Sequence, residues 1–74
     1  MEKFDRIIIN PEICLGQPTI RGMRITVSFV LKMVANGHSV QEILEFYPFL
    51  EEEDIKQALR YAAWLASDHL VKIA

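Results

Sequence analysis

Only one cysteine, Cys14, stands among the 74 residues, so no disulfide can staple the chain to itself. No group of cysteine, histidine and carboxylate residues has zinc spacing. His38 and His69 stand far apart without ligand-spaced neighbours, and each reads as a surface or packing residue. No metal and no other cofactor is expected. No apolar run approaches the roughly 20 residues a membrane span needs, and no charged leader with an apolar core opens the sequence, so the chain is expected to be cytoplasmic. A recognisable nucleophile setting, a phosphate-binding glycine loop and a metal motif are all missing, so catalysis is not expected. Thr19, Thr26, Ser28, Ser39 and Ser67 read as caps, turn residues or surface hydroxyls. A basic surplus is missing too, since the formal net charge is −2.

What the chain has is apolar material: 51% of its residues are hydrophobic, more than the core of so small a domain easily covers. With disulfides and metal set aside, oligomerisation is the remaining stabiliser, and a homodimer is expected.

Residues 26–60 organise the rest. Val27, Val30, Leu31 and Val34 recur at helical spacing behind Thr26, a fitting N-cap. Gly37 ends that helix. Ser39 and Glu42 have the spacing of a capping box for a second helix, Val40 to Phe46, with Ile43, Leu44 and Tyr47 on its buried side. Pro48 stops it. A third helix is expected from about Glu52 to about Leu70, with Leu50 and Ile55 as a hydrophobic staple. Two short helices followed by a longer one outline a mainly α, three-helix helix-turn-helix domain, homeodomain-like or winged-helix-like, with a short N-terminal β-strand arm. The chain is read as one domain: arm 1–25, core 26–60, and a handle 61–74 for a dimer or partner.

In the arm, Ile7, Ile8 and Ile9, bounded by Asn10-Pro11, read as a strand buried on both faces. Its unpaired backbone must find either the segment around Ile20 or the same segment of a second subunit. Cys14, between Ile13 and Leu15, reads as a small buried hydrophobe.

Gly16, Pro18 and Gly22 shape a loop in which Arg21 and Arg24 flank a glycine. Both arginines are solvated, or one pairs with a nearby carboxylate, or they form an anion-binding pair that suits a phosphate backbone or a cluster of catalytic carboxylates. Charge distribution favours this end. Residues 1–36 hold five basic residues against three acidic, a surplus of +2, whereas residues 37–74 hold three against seven, −4.

The order of an Ile-rich strand ending in Asn10-Pro11, then Gly16-x-Pro18-x-Ile20-Arg21-Gly22-x-Arg24-Ile25-x-Val27, resembles a known bacterial and archaeal family. Gly37-x-Ser39-x-x-Glu42-Ile43 and Tyr47-Pro48-x-Leu50-x-x-x-Asp54-Ile55-x-x-Ala58-Leu59-x-Tyr61-Ala62 continue the likeness. The family is the short helix-turn-helix proteins of the domain-of-unknown-function family numbered four hundred and thirty-three. The resemblance spans roughly Ile8 to Ala62. It implies an antitoxin that neutralises a PIN-like ribonuclease toxin by direct binding, either through the arginine loop, with Arg21 or Arg24 competing for the acidic nuclease site, or through the apolar surface of the third helix, with repression of its own promoter as an optional second role. Met23 and Glu51 depart from the family pattern, which commonly has Thr at the first position and Thr or Ser at the second.

Glu51, Glu52, Glu53 and Asp54 complement the dipole of the third helix and read as a solvated helix start rather than a metal cluster. Four carboxylates there would repel phosphates, so major-groove docking by this helix is not expected. If DNA is bound, Arg21, Arg24, Lys32 and Arg6 carry the contact. Ile55, Ala58, Leu59, Ala62, Ala66, His69 and Ile73 form the expected core stripe. Tyr61, Trp64 and Leu65 lie beside it, either as extended core or as an interface, the preferred version being a symmetric dimer through Trp64 and Leu65. The alternatives to the antitoxin are a stand-alone DNA-binding regulator and a dimerising adaptor.

Overall fold

A computed structural model describes residues 4–68. The chain is mainly helical, in the order β1 (Ile7–Ile9), β2 (Pro18–Ile20), α1 (Val27–Ala35), α2 (Val40–Phe46) and α3 (Glu52–Asp68). No helix among the described residues is long and apolar enough to cross a membrane.

The three helices follow the punctuation in the sequence. The Thr26 side chain accepts the Phe29 N–H at 3.0 Å and so satisfies one of the donors a helix start leaves open. At the other end Gly37 takes φ 92°, its N–H reaches Val34 C=O at 3.0 Å, and the His38 N–H reaches Met33 C=O at 3.1 Å. These two bonds make a Schellman end, which needs the left-handed conformation that glycine adopts without steric cost. The capping box forms in full: Ser39 Oγ accepts the Glu42 N–H at 3.1 Å, and a Glu42 carboxylate oxygen accepts the Ser39 N–H at 2.9 Å.

β1 and β2 pair antiparallel within the chain, Ile7 opposite Ile20 and Ile9 opposite Pro18. The strand therefore finds its partner in the segment around Ile20. Burial on both faces does not hold, however, because Ile8 is 39% and Ile9 60% exposed. Of the three, only Ile7 packs against the core; Ile8 lies on the opposite face, and Ile9, on the same face as Ile7, stands beyond it. Thr19 is fully buried, and its hydroxyl donates to Ile8 C=O at 2.9 Å.

Ile20, Val27, Val30, Met33, Ile43, Leu50, Ile55 and Ala58 form the core. Leu50 and Ile55 both lie in it, as their staple positions require. On α3 the buried line differs from the expected stripe. Asp54 and Gln57 are buried beside Ile55 and Ala58, whereas Leu59 and Ala66 are exposed. The helix is turned by the polar partners that draw Asp54 and Gln57 inward. His69 and Ile73 lie outside the described residues.

Candidate functional site

Past β2 the backbone reverses at Ile20–Met23, closed by the Met23 N–H to Ile20 C=O bond of 2.8 Å. Arg21 and Gly22 have φ 50° and 74°, the signature of a type I′ turn. Glycine does this freely, but Arg21 holds a conformation that costs an ordinary residue roughly 1–2 kcal/mol. Its side chain offsets that strain. Arg21 Nε donates to Asp54 Oδ1 at 3.0 Å and Nη2 to Asp54 Oδ2 at 2.8 Å, a two-pronged pair. Nη2 also donates to Phe49 C=O at 2.9 Å.

Arg6 comes to the same carboxylate from the other side. Its Nη1 donates to Asp54 Oδ1 at 2.9 Å and also pairs with Glu51. The fourth donor is backbone: the Glu51 N–H reaches Asp54 Oδ2 at 2.8 Å, which caps the first turn of α3. Asp54 is thus wholly buried and fully bonded. Burial alone pushes its carboxyl upward in pKa, but the hydrogen bonds from Arg21, the Glu51 backbone and Arg6 more than reverse that, and it titrates below the ordinary aspartate value. Arg6 is held well above the usual arginine value by its bonds to Glu51 and Asp54, and Arg21 is raised by Asp54.

This geometry sorts the four cationic residues singled out by sequence. Arg6 and Arg21 converge on Asp54, the pairing of arginine with carboxylate that the sequence left open. Arg24 stays outside the cluster. Arg24 and Lys32 are exposed and make no side-chain hydrogen bond or ion pair among the described residues. The acidic helix start is likewise divided, with Glu51 and Glu52 solvated and Asp54 taken into the interior. By sequence Asp54 reads as part of a solvated helix start; the signal that could have found it is an acidic residue three positions after the residue that caps the helix, and its buried role needed the arm in place to be seen.

Gln57, unremarked in the sequence, fixes the arm. Its Oε1 accepts the Arg6 N–H at 3.0 Å and its Nε2 donates to Asp5 at 2.6 Å. Phe4 then lies on Tyr61, ring centroids 5.3 Å apart, and on Trp64, 5.8 Å apart. Tyr61 is half-buried, and Trp64 and Leu65 remain partly exposed at the margin of α3.

A second group of rings borders the arginine cluster. Phe29, Tyr47 and Phe49 form an edge-to-face run with centroids 5.6 and 6.1 Å apart, and Phe29 and Phe49 are exposed. The bond from Arg21 to Phe49 C=O ties this run to Asp54.

The loop-shaping residues stand at special conformations. Cys14, Leu15 and Gly16 all have positive φ, and Leu15 is 95% exposed. Cys14 is half-buried rather than the buried hydrophobe expected. Pro18 begins β2, opposite Ile9.

Among known proteins, the chain is 45% identical over 53 residues to "Uncharacterized protein y4eO" of Sinorhizobium fredii (strain NBRC 101917 / NGR234). The match takes in 72% of this chain and spans 24% of that protein's length. It also superposes, with a TM-score of 0.78 and 33% identity, on the 2.00 Å crystal structure of a DUF433 member protein from Anabaena variabilis ATCC 29413. That superposition covers 85% of this chain and 62% of the other. Residues 7–62, from β1 to the middle of α3 and including Arg21 and Asp54, match the family model "Protein of unknown function (DUF433)", and the chain belongs to that family.

Proposed function

We propose that the protein is the antitoxin of a type II toxin–antitoxin pair, binding a PIN-like ribonuclease directly through a rigid aromatic surface. The observation that supports this reading is the exposed run Phe29–Tyr47–Phe49, held edge to face and anchored through the Phe49 carbonyl to Arg21. Exposed aromatic rings fixed in place lose little side-chain entropy on docking and are frequent anchors of protein interfaces. Arg21 is spent on Asp54, so its part is to hold the loop that carries Phe49 rather than to enter the nuclease site.

The test is affinity capture of the tagged full chain from its native cells after nuclease treatment of the lysate, followed by titration of the recovered ribonuclease. Stoichiometric inhibition is expected, with a Phe29→Ala, Phe49→Ala double variant weakened at least ~10-fold. Inhibition unchanged by that variant removes the aromatic surface from the reading, and absence of a ribonuclease removes the antitoxin.

A second reading, a stand-alone DNA-binding regulator, is favoured by Arg24 and Lys32, the exposed cations with no carboxylate in contact among the described residues. It requires promoter affinity that falls steeply with salt and weakens in Arg24→Ala and Lys32→Ala variants.

A further inference from the structure

Backbone polar groups of successive strand residues point to opposite edges. Ile8 faces β2, because the Arg21 N–H bonds Arg6 C=O two residues along the same register. Ile7 and Ile9 therefore face away from β2. Ile20, opposite Ile7, agrees: its N–H goes to Ile25 C=O and its C=O accepts from Met23, both away from β1. On the outer edge of β1 the Ile7 N–H is taken by Phe4 C=O at 3.0 Å. The Ile7 C=O and both backbone groups of Ile9 have no hydrogen-bond partner among the described residues.

We propose that this edge pairs with the same edge of a second copy, antiparallel about a two-fold axis, so that two small sheets become one four-stranded sheet across a homodimer. The edge is complementary to itself in donors and acceptors. An axis at Ile8 sets each Ile9 N–H against the Ile7 C=O of the other copy, and an axis at Ile9 sets each Ile9 N–H against the other Ile9 C=O. Both arrangements use only groups without a partner among the described residues and leave the occupied Ile7 N–H undisturbed. Pro11, which has no N–H, ends the ladder on one side.

The side chains agree with the backbone. Ile8 and Ile9 are the exposed residues of the strand; an axis at Ile8 sets Ile8 opposite its own counterpart and an axis at Ile9 does the same for Ile9, with no charge on residues 7–9 to be set against itself. Within Ile7–Ile9 the edge is uncharged and carries exposed isoleucines, with the charge of Arg6 and the ring of Pro11 lying outside the three paired residues and limiting the ladder to them. Self-complementarity is what a two-fold interface demands, and a foreign strand is not required to have it.

Sedimentation equilibrium of the full chain tests the proposal, together with Ile9→Lys and with Ile8→Cys and Ile9→Cys placed singly in a Cys14→Ser background and oxidised. Expected are a species of twice the 8.5 kDa chain mass at tens of micromolar, dimerisation weakened at least ~10-fold in Ile9→Lys, and a disulfide-linked dimer from a cysteine at position 8 or 9. Circular dichroism checks that Ile9→Lys is folded, and if it is not, the cysteine variants decide. A parent that stays monomeric overturns the proposal. So does a dimer that resists Ile9→Lys without cross-linking at either position, or one lost on Trp64→Ala alone.

Discussion

A carboxylate moved out of water without partners would take up a proton or unfold its surroundings, so the four donors around Asp54 decide whether this domain holds. Replacing one oxygen by an amide leaves Arg21 and Arg6 in place and takes away the charge that holds both. Asp54→Asn is expected to lower stability by about 3 kcal/mol, read from urea unfolding. Its pH dependence separates charge from shape. The native carboxyl has the lower pKa, so its contribution is complete above the unfolded value of about 3.9 and is lost as pH falls through the native one. The stability difference between parent and Asp54→Asn should therefore be constant near neutrality and shrink below about pH 4. A difference that stays flat down to acid unfolding would mean that the aspartate contributes through packing. Arg21 adds a backbone element to the same argument: its left-handed turn is tolerated because the side chain is held at both prongs.

Among the elements, α2 depends most on local chemistry, since it has only seven residues and isolated helices of that length are not stable in water. Its capping box satisfies two backbone donors at once, and Ser39→Ala is expected to cost about 1 kcal/mol, seen as a lowered urea midpoint with an unchanged slope. The same locality explains what the sequence disclosed. Thr26, Gly37, Ser39, Glu42 and Pro48 act on backbone groups within four residues of themselves, so the ends of α1 and α2 could be placed from spacing alone. The antiparallel partner of β1 was legible as one of two choices. Facing was not. Ile8 and Ile9 look like core residues until it is known that Ile8 lies on the face opposite Ile7, and that Ile9, on the same face as Ile7, stands beyond the reach of the core. Asp54 and Gln57 look like the polar face of α3 until Arg6, 48 and 51 residues earlier, is brought against them. Hydropathy counts such residues as exposed because their partners are distant in sequence. The aromatic run was hidden for the same reason, Phe29 and Tyr47 belonging to different helical segments.

For the molecule as a whole, the arm is not an appendage. Arg6 and Asp5 are bonded to Gln57, Arg6 and Arg21 share Asp54, Arg21 holds the loop before α3, and Phe4 covers Tyr61 and Trp64. Freeing the strand means exposing the charge of Asp54, and exposing Asp54 loosens the first turn of α3 and the loop at Phe49. Arm and helices should consequently open as one cooperative unit, which native-state hydrogen exchange can read at single amides. In the parent, the Arg6 and Arg21 amides are expected to exchange only through the global opening that also releases the core amide of Ile43. Gln57→Ala removes the acceptor of the Arg6 N–H and leaves the Asp54 cluster intact, so the Arg6 amide alone should drop to a smaller local opening while Arg21 stays at the global value. If Arg21 drops with it, the arm is a separate unit held mainly by Gln57. If Arg6 already exchanges locally in the parent, the buried ion cluster does not couple the two halves of the molecule.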